Sequence, residues 1–199
     1  MVMCRYTAAA VQTDLANPVL RSQMRKNTDR ILQLVDSAVI GAMPFLPVKL
    51  VVFPEFAHSA PVFEKLADLR EKLAVEMPNE HTDRLQAKAK EHGILIQSGS
   101  MLEIDSKYPG HVFNTSCLIS GDGILLKYRK VNTWIPFEVH SSPHDIEGYE
   151  EELFPVAKTE IGNIGCAICY DWIFPEALRQ LAINGAEVLV RVSAYMDPW

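Results

Sequence analysis

Three reactive side chains stand where buried strands are read to end. Cys169 closes the run Ile164-Gly165-Cys166-Ala167-Ile168, whose small and apolar residues suit a strand covered on both faces. Pro175 and Glu176 then suit the first turn of a helix, where a missing N–H costs nothing and an acid meets the positive dipole end. A thiol at such a strand-to-helix turn is where nucleophiles are often presented, because nearby N–H dipoles favour the thiolate. Glu55 follows the β-branched run Leu50-Val51-Val52-Phe53, and Lys130 follows the strand read from Gly123 to Tyr128. In α/β sheets the carboxyl ends of strands are where ligands bind and reactive groups converge. A carboxylate, an ammonium and a thiol brought together there could perform acyl transfer: the base takes the thiol proton, the thiolate attacks a carbonyl or nitrile carbon, and the ammonium meets the developing oxyanion. Each residue also has a plain alternative. Cys169 could be packing, Glu55 a helix-start acid, and Lys130 a solvated cation beside Arg129.

The elements that must position these groups are legible in outline. Met3 to Gln12 reads as a first strand, ended by Asn17-Pro18. Ile31, Leu34, Val35, Ala38 and Val39 recur at helical spacing, so Met24 to Ile40 is predicted to be an amphipathic helix. Phe63 to Val75 and Asn79 to His92 read as two more helices, the second stopped by Gly93. Ile94 to Ser100 reads as a strand. Val112 to Ser120 and Gly123 to Tyr128 form a hairpin across Gly121-Asp122-Gly123. A long loop, His140 to Glu152, precedes a strand pair at Leu153 to Thr159 and Gly162 to Ile168. A helix from Pro175 to Asn184, capped by Gly185, and a buried strand from Glu187 to Val192 complete the order. This is an α/β pattern with a sheet of mixed direction.

Composition narrows the function. A chain of 199 residues with a net charge of -6 and no Lys/Arg block is not expected to bind nucleic acid. No apolar run approaches the ~20 residues of a membrane span, and no charged leader precedes an apolar stretch, so neither membrane insertion nor a signal peptide is expected. The four cysteines do not look like a disulfide framework, which points to a reducing, cytoplasmic setting. Cys166 and Cys169 form a C-x-x-C, but no second pair exists, and residues i and i+3 of a strand point to opposite faces. Cys166 is read as core, with no metal site.

Taken in order, Phe53-Pro54-Glu55-Phe56, Tyr128-Arg129-Lys130 and Cys169-Tyr170-Asp171-Trp172-Ile173-Phe174-Pro175-Glu176 resemble the three signature boxes of the nitrilase superfamily of carbon–nitrogen hydrolases. Gly185-Ala186-Glu187 and the stretch 191–198 look most like its amidase branch, particularly the aliphatic amidases. The resemblance covers essentially the whole chain, residues 1–199, as one carbon–nitrogen hydrolase domain. It implies a nitrilase-like four-layer α-β-β-α sandwich with mixed sheets and a Glu-Lys-Cys triad. Cys169 would be the nucleophile and Glu55 the general base. Lys130 and the backbone N–H of Tyr170 would hold the oxyanion. Glu138, in Trp134-Ile135-Pro136-Phe137-Glu138, would position substrate or water and help to keep Lys130 charged. No metal or organic cofactor is implied. Where nitrile-cleaving members carry Trp-Glu after the cysteine, this chain has Tyr170-Asp171, which favours an amide. The family's usual C-terminal portion is read as missing, so the second half of the fold is expected to be incomplete and the chain to associate, as a homo-oligomer.

The leading expectation is hydrolysis of a small aliphatic amide, with Phe56, Trp134 and Tyr195 as candidate pocket residues or plain core aromatics. An N-carbamoyl amide hydrolase or a nitrilase is the second reading; its carboxylate-bearing substrates would need a cation, for which Arg191, His140 and His144 are the candidates, the histidines being read as solvated loop residues. An inactive binding or assembly module is the third.

Overall fold

The computed structural model describes residues 5–134 and 138–194. Strands β1 (Thr7–Ala10), β2 (Val48–Val52) and β3 (Leu95–Gln97) lie parallel, and β5 (Phe113–Ser120) runs back against β3. The hairpin partner β6 (Gly123–Arg129) therefore points the same way as β2. The strand expected over Ile94 to Ser100 is shorter and is followed by a separate β4 (Met101–Glu103), which pairs with the start of β5. Gly99 lies in the break with φ +74°. A Cβ there would stand 2.4 Å from Pro54 O and 2.7 Å from Ala57 Cβ, so the chain passes too close to the Glu55 loop for any other residue.

A second sheet holds β7 (Val156–Thr159), antiparallel to β8 (Gly162–Ile168), which is parallel to β9 (Val188–Val192). The two sheets pack face to face. Leu50, Leu95, Leu118, Leu126 and Tyr128 of the first meet Ile164, Cys166, Ile168, Val190 and Val192 of the second. Full burial of one such aliphatic side chain contributes about 2 kcal/mol. The alternate residues Val51, Phe53, Ile96, Cys117 and Ile119 point the other way, onto α1 (Met24–Gly41) and α3 (Glu80–His92). On the far side α4 (Pro175–Ile183) lies over β8, where a Cβ on Gly165 would meet Leu181 Cδ2 at 3.0 Å. Helix, sheet, sheet and helix thus make the expected four layers, with, among the described residues, one helix over a three-stranded second sheet.

Boundaries moved where local chemistry overrode periodicity. The helix expected over Phe63 to Val75 shortens to α2 (Leu66–Lys72), because Val75 instead bridges to Glu103. A single 3-10 turn, Cys169–Ile173, separates β8 from α4. The loop from His140 to Glu152 is anchored: Ser141 N–H donates to Val112 O, Ser142 Oγ donates to Val131 O, and Tyr149 stacks on Tyr108. Among the described residues no helix is long and apolar enough to cross a membrane.

Candidate active site

The parallel directions of β2, β6, β8 and β9 put their carboxyl ends on one edge, together with the start of antiparallel β5. Glu55, Lys130, Cys169 and Ala194 follow those four ends, and Asn114 is the second residue of β5. All of them meet.

Glu55 is buried, 3 % exposed, and its oxygens accept from three nitrogen donors. Lys130 Nζ and Asn114 Nδ2 each donate to Oε1 at 2.9 Å, and the backbone N–H of Ala194 donates to Oε2 at 3.2 Å. The last bond crosses from the second sheet to the first. Burial raises the Glu55 pKa and the Glu138 charge adds to this, while Lys130 opposes it. A carboxylate with a raised pKa is a stronger base near neutrality, as a proton acceptor for a thiol needs to be.

Lys130 is fully buried, so the solvated reading of this residue does not hold. Strand alternation parts it from its basic neighbours. Lys127 and Arg129 turn to Glu103, whereas Tyr128 points into the core between the sheets. Lys130 Nζ donates to Glu55 and to both oxygens of Glu138, at 2.7 and 2.9 Å. Burial disfavours its charge, but the two carboxylates outweigh that and raise its pKa. Glu138, itself buried, also accepts the Trp134 backbone N–H at 2.6 Å, and its pKa is lowered to about 2 despite burial, through His140 and Lys130. His140 is not a solvated loop residue. It is buried, with Nε2 3.3 Å from Glu138 Oε2, whereas His144 is exposed.

Cys169 has φ +45°, a conformation that side-chain-bearing residues avoid, on the turn that ends β8. Its thiol pKa is raised, first by burial and then by the charge of Glu55 and a hydrogen bond with it, while Lys130 pulls the other way. Cys166, two residues before the strand's end, is sealed in the core, as expected. Tyr170 follows Cys169 in the same turn.

These groups open into a cleft of about 890 Å³, lined by Glu55, Phe56, Trp134, Glu138 and Cys169 and, opposite, by residues after β1 such as Gln12 and Asp14. Phe56 sits at φ +59° with its N–H held by Ser100 Oγ at 2.8 Å. Tyr195 lies outside the described residues. Arg191 is over the Trp172 ring, 5.4 Å from its centroid, and is not among the lining residues. Among the described residues one cluster has metal-ligand composition, Asp36, Glu91 and His92 on α1 and α3. Its Asp36 carboxylate already accepts from Lys88 and from His92, at 2.9 and 2.7 Å, which is an ion-pair network.

Sequence reasoning missed Asn114, Asp171 and the backbone of Ala194. Asn114 had a signal, a polar side chain in an otherwise strand-like run. The Ala194 N–H had none, since any residue carries one.

Comparison with known proteins shows the family and the fold. The carbon-nitrogen hydrolase family model matches residues 7–199. A formamidase of Bacillus cereus is 28% identical over 194 residues, covering 96% of this chain and 54% of that protein, and a formamidase of Bacillus anthracis matches equally. The chain thus spans about half the length of the curated relatives it matches. Among solved structures, Saccharomyces cerevisiae Nit3, a member of branch 10 of the nitrilase superfamily, superposes with a TM-score of 0.71 at 26% identity, covering 92% of this chain and 63% of that one. An amidase from Nesterenkonia sp. has the same fold, with a TM-score of 0.74 at 22% identity, covering 100% of this chain and 70% of that one.

Proposed function

This chain belongs to the carbon–nitrogen hydrolase family, and on that premise we propose that it hydrolyses a small aliphatic amide to a carboxylic acid and ammonia through a thioester on Cys169. The observation that carries the reading is the buried Glu55–Lys130–Glu138 chain opening on the same cleft as Cys169. Glu55 takes the thiol proton as Sγ bonds to the carbonyl carbon, and the carbonyl π pair moves to oxygen. Neutralising Glu55 weakens its hold on Lys130, whose Nζ then has an N–H for the oxyanion, alongside the backbone N–H of Tyr170. As the tetrahedral adduct collapses, Glu55 returns the proton to nitrogen, the C–N bond breaks and ammonia leaves. A water then attacks the thioester carbon while giving a proton to Glu55. The C–S bond breaks, and that proton goes back to sulfur. Glu138 keeps Lys130 charged throughout, and its place in the cleft wall suits it to orient amide or water.

Amide is favoured over N-carbamoyl acid substrates by the cleft's charge. Among the described lining residues the acids are Asp14, Glu55 and Glu138, and no Arg, Lys or His lines it. Lys130, behind the wall, is already matched by two carboxylates. A substrate carboxylate would add a negative charge with no cation among the described lining residues to meet it. Phe56 and Trp134 give the acyl group an apolar wall. We place the whole chain in one hydrolase domain working in the cytoplasm, where Cys117, Cys166 and Cys169 remain free thiols, and working as a homo-oligomer, in keeping with exposed Ile173, Ile183 and Leu189.

The test is ammonia release from formamide, acetamide and propionamide, compared with matched nitriles and N-carbamoyl amino acids, for the chain and for Cys169→Ala. Release from the amides that Cys169→Ala abolishes is expected. Equal release from both proteins removes Cys169 from the mechanism. Preference for N-carbamoyl acids or nitriles replaces the amide, and no turnover at all leaves the binding-module reading.

A further inference from the structure

Asp171 stands two residues after Cys169, is fully buried, and takes no part in the chemistry above. Its carboxylate accepts four hydrogen bonds. Oδ1 takes the backbone N–H of Asn132 at 2.7 Å and the Asn132 side-chain amide at 3.0 Å. Oδ2 takes the Tyr128 hydroxyl at 2.7 Å and the backbone N–H of Ile168 at 2.9 Å. The four donors belong to three residues: Tyr128 and Asn132 flank Lys130 in the chain, and Ile168 directly precedes Cys169. All four partners are neutral, so Asp171 is not half of an ion pair. A buried carboxylate costs several kcal/mol to desolvate, and four donors on one group are what make it tolerable. An apolar residue would fill the space more cheaply, so the group joins these segments at an energetic cost.

We propose that Asp171 is a positioning residue that fixes the distance and direction between Cys169 and Lys130, by tying the turn that carries the thiol to the segment that carries the ammonium. The two groups come from different sheets, and apart from polar bonds such as Ala194 N–H to Glu55 the sheets meet through apolar contacts, which set spacing but not register along the strands. Hydrogen bonds are directional to within a few tenths of an ångström, and reaction rates respond to shifts of that size. The same carboxylate holds the turn at Cys169 in its left-handed conformation, because Ile168 N–H is anchored to Oδ2 from three residues ahead.

The kinetic arm of the test rests on the amidase reading, and the labelling arm does not. Asp171→Asn keeps the shape but presents an NH2 to a backbone N–H on one side, whichever way the amide turns. For the chain, Asp171→Asn and Tyr128→Phe, the rate of Cys169 alkylation by iodoacetamide is followed by mass spectrometry from pH 5 to 10, beside thermal melting and amide turnover. In the chain, alkylation at neutral pH is assisted by Glu55 and levels off there. In Asp171→Asn it falls at least about tenfold at pH 7 and rises steadily toward the ordinary thiol pKa of about 8.5. Tyr128→Phe shows the same change of profile to a smaller degree. Amide turnover falls in kcat with KM within about twofold. An unchanged pH profile in a folded Asp171→Asn overturns the proposal, whatever the melting temperature does. Should Asp171→Asn not fold, Tyr128→Phe decides: an unaltered profile overturns it and an altered one supports it. If no amide is turned over by any of the proteins, the function fails while the alkylation profiles still decide the role of Asp171.

Discussion

Lys130 Nζ donates to Glu55 Oε1 at 2.9 Å, with both side chains buried. The pair joins residues 75 positions apart and would be expensive to bury if either stood alone. Glu138 closes the set on the other side of the ammonium, leaving two carboxylates around one cation.

Lys130→Ala removes that cation and leaves Glu55 and Glu138 facing each other. Truncating one member of a buried charge pair costs about 3–5 kcal/mol. Urea unfolding at neutral pH is expected to show a loss of that size, with no measurable amide turnover. A midpoint equal to the parent's contradicts the structural role.

The pH dependence of turnover follows from Glu55. Its pKa is raised by burial, and it acts as base only when ionised, so activity is lost as pH falls through a value above the ordinary carboxylate range. Lys130 is raised, not lowered, so its loss of charge sets no alkaline limb near neutrality. A kcat/KM profile with its acid limb below pH 4 would rule out Glu55 as base.

Glu138 makes a separate prediction about stability. Its pKa is lowered to about 2 in the fold, so its contribution is complete above the unfolded value near 4.5 and is lost as pH falls toward 2. Denaturant unfolding from pH 6 to 2, run with Glu138→Gln alongside, is expected to show a steeper acid loss for the parent. Parallel curves count against it.

Asn114→Ala takes one donor from the ionised Glu55. A hydrogen bond to a charged group contributes about 1.5–3 kcal/mol, so the acid limb is expected to move up by about one pH unit or more. A limb that stays in place shows that Asn114 supports the strand alone.

Gly99→Ala tests the loop that carries the base. The new Cβ collides with Pro54 O and takes on φ +74°, so Glu55 has to move. Turnover is expected to fall by at least about tenfold, with a stability loss of about 1–3 kcal/mol. Turnover at the parent level shows that the loop can yield without moving the carboxylate.

The local chain determined a good deal by itself. The β-branched run at Leu50 to Val52, the period of α1 and the hairpin turn at Gly121-Asp122-Gly123 are read from neighbours a few residues apart, and the elements formed where those patterns lie. The three reactive residues were visible for the same reason, because Glu55, Lys130 and Cys169 each close a recognisable strand. What the tertiary structure decided was partnership. Nothing near Asn114 says that it will meet Glu55, and nothing near His140 says that it will be buried against Glu138. Nor does position 194 announce that its N–H crosses between sheets to Glu55, or Asp171 that it gathers donors from both sides of Lys130. Those contacts depend on strand direction and on the face-to-face packing of two sheets. Both are settled by the burial of side chains far apart in the chain, so no local pattern encodes them.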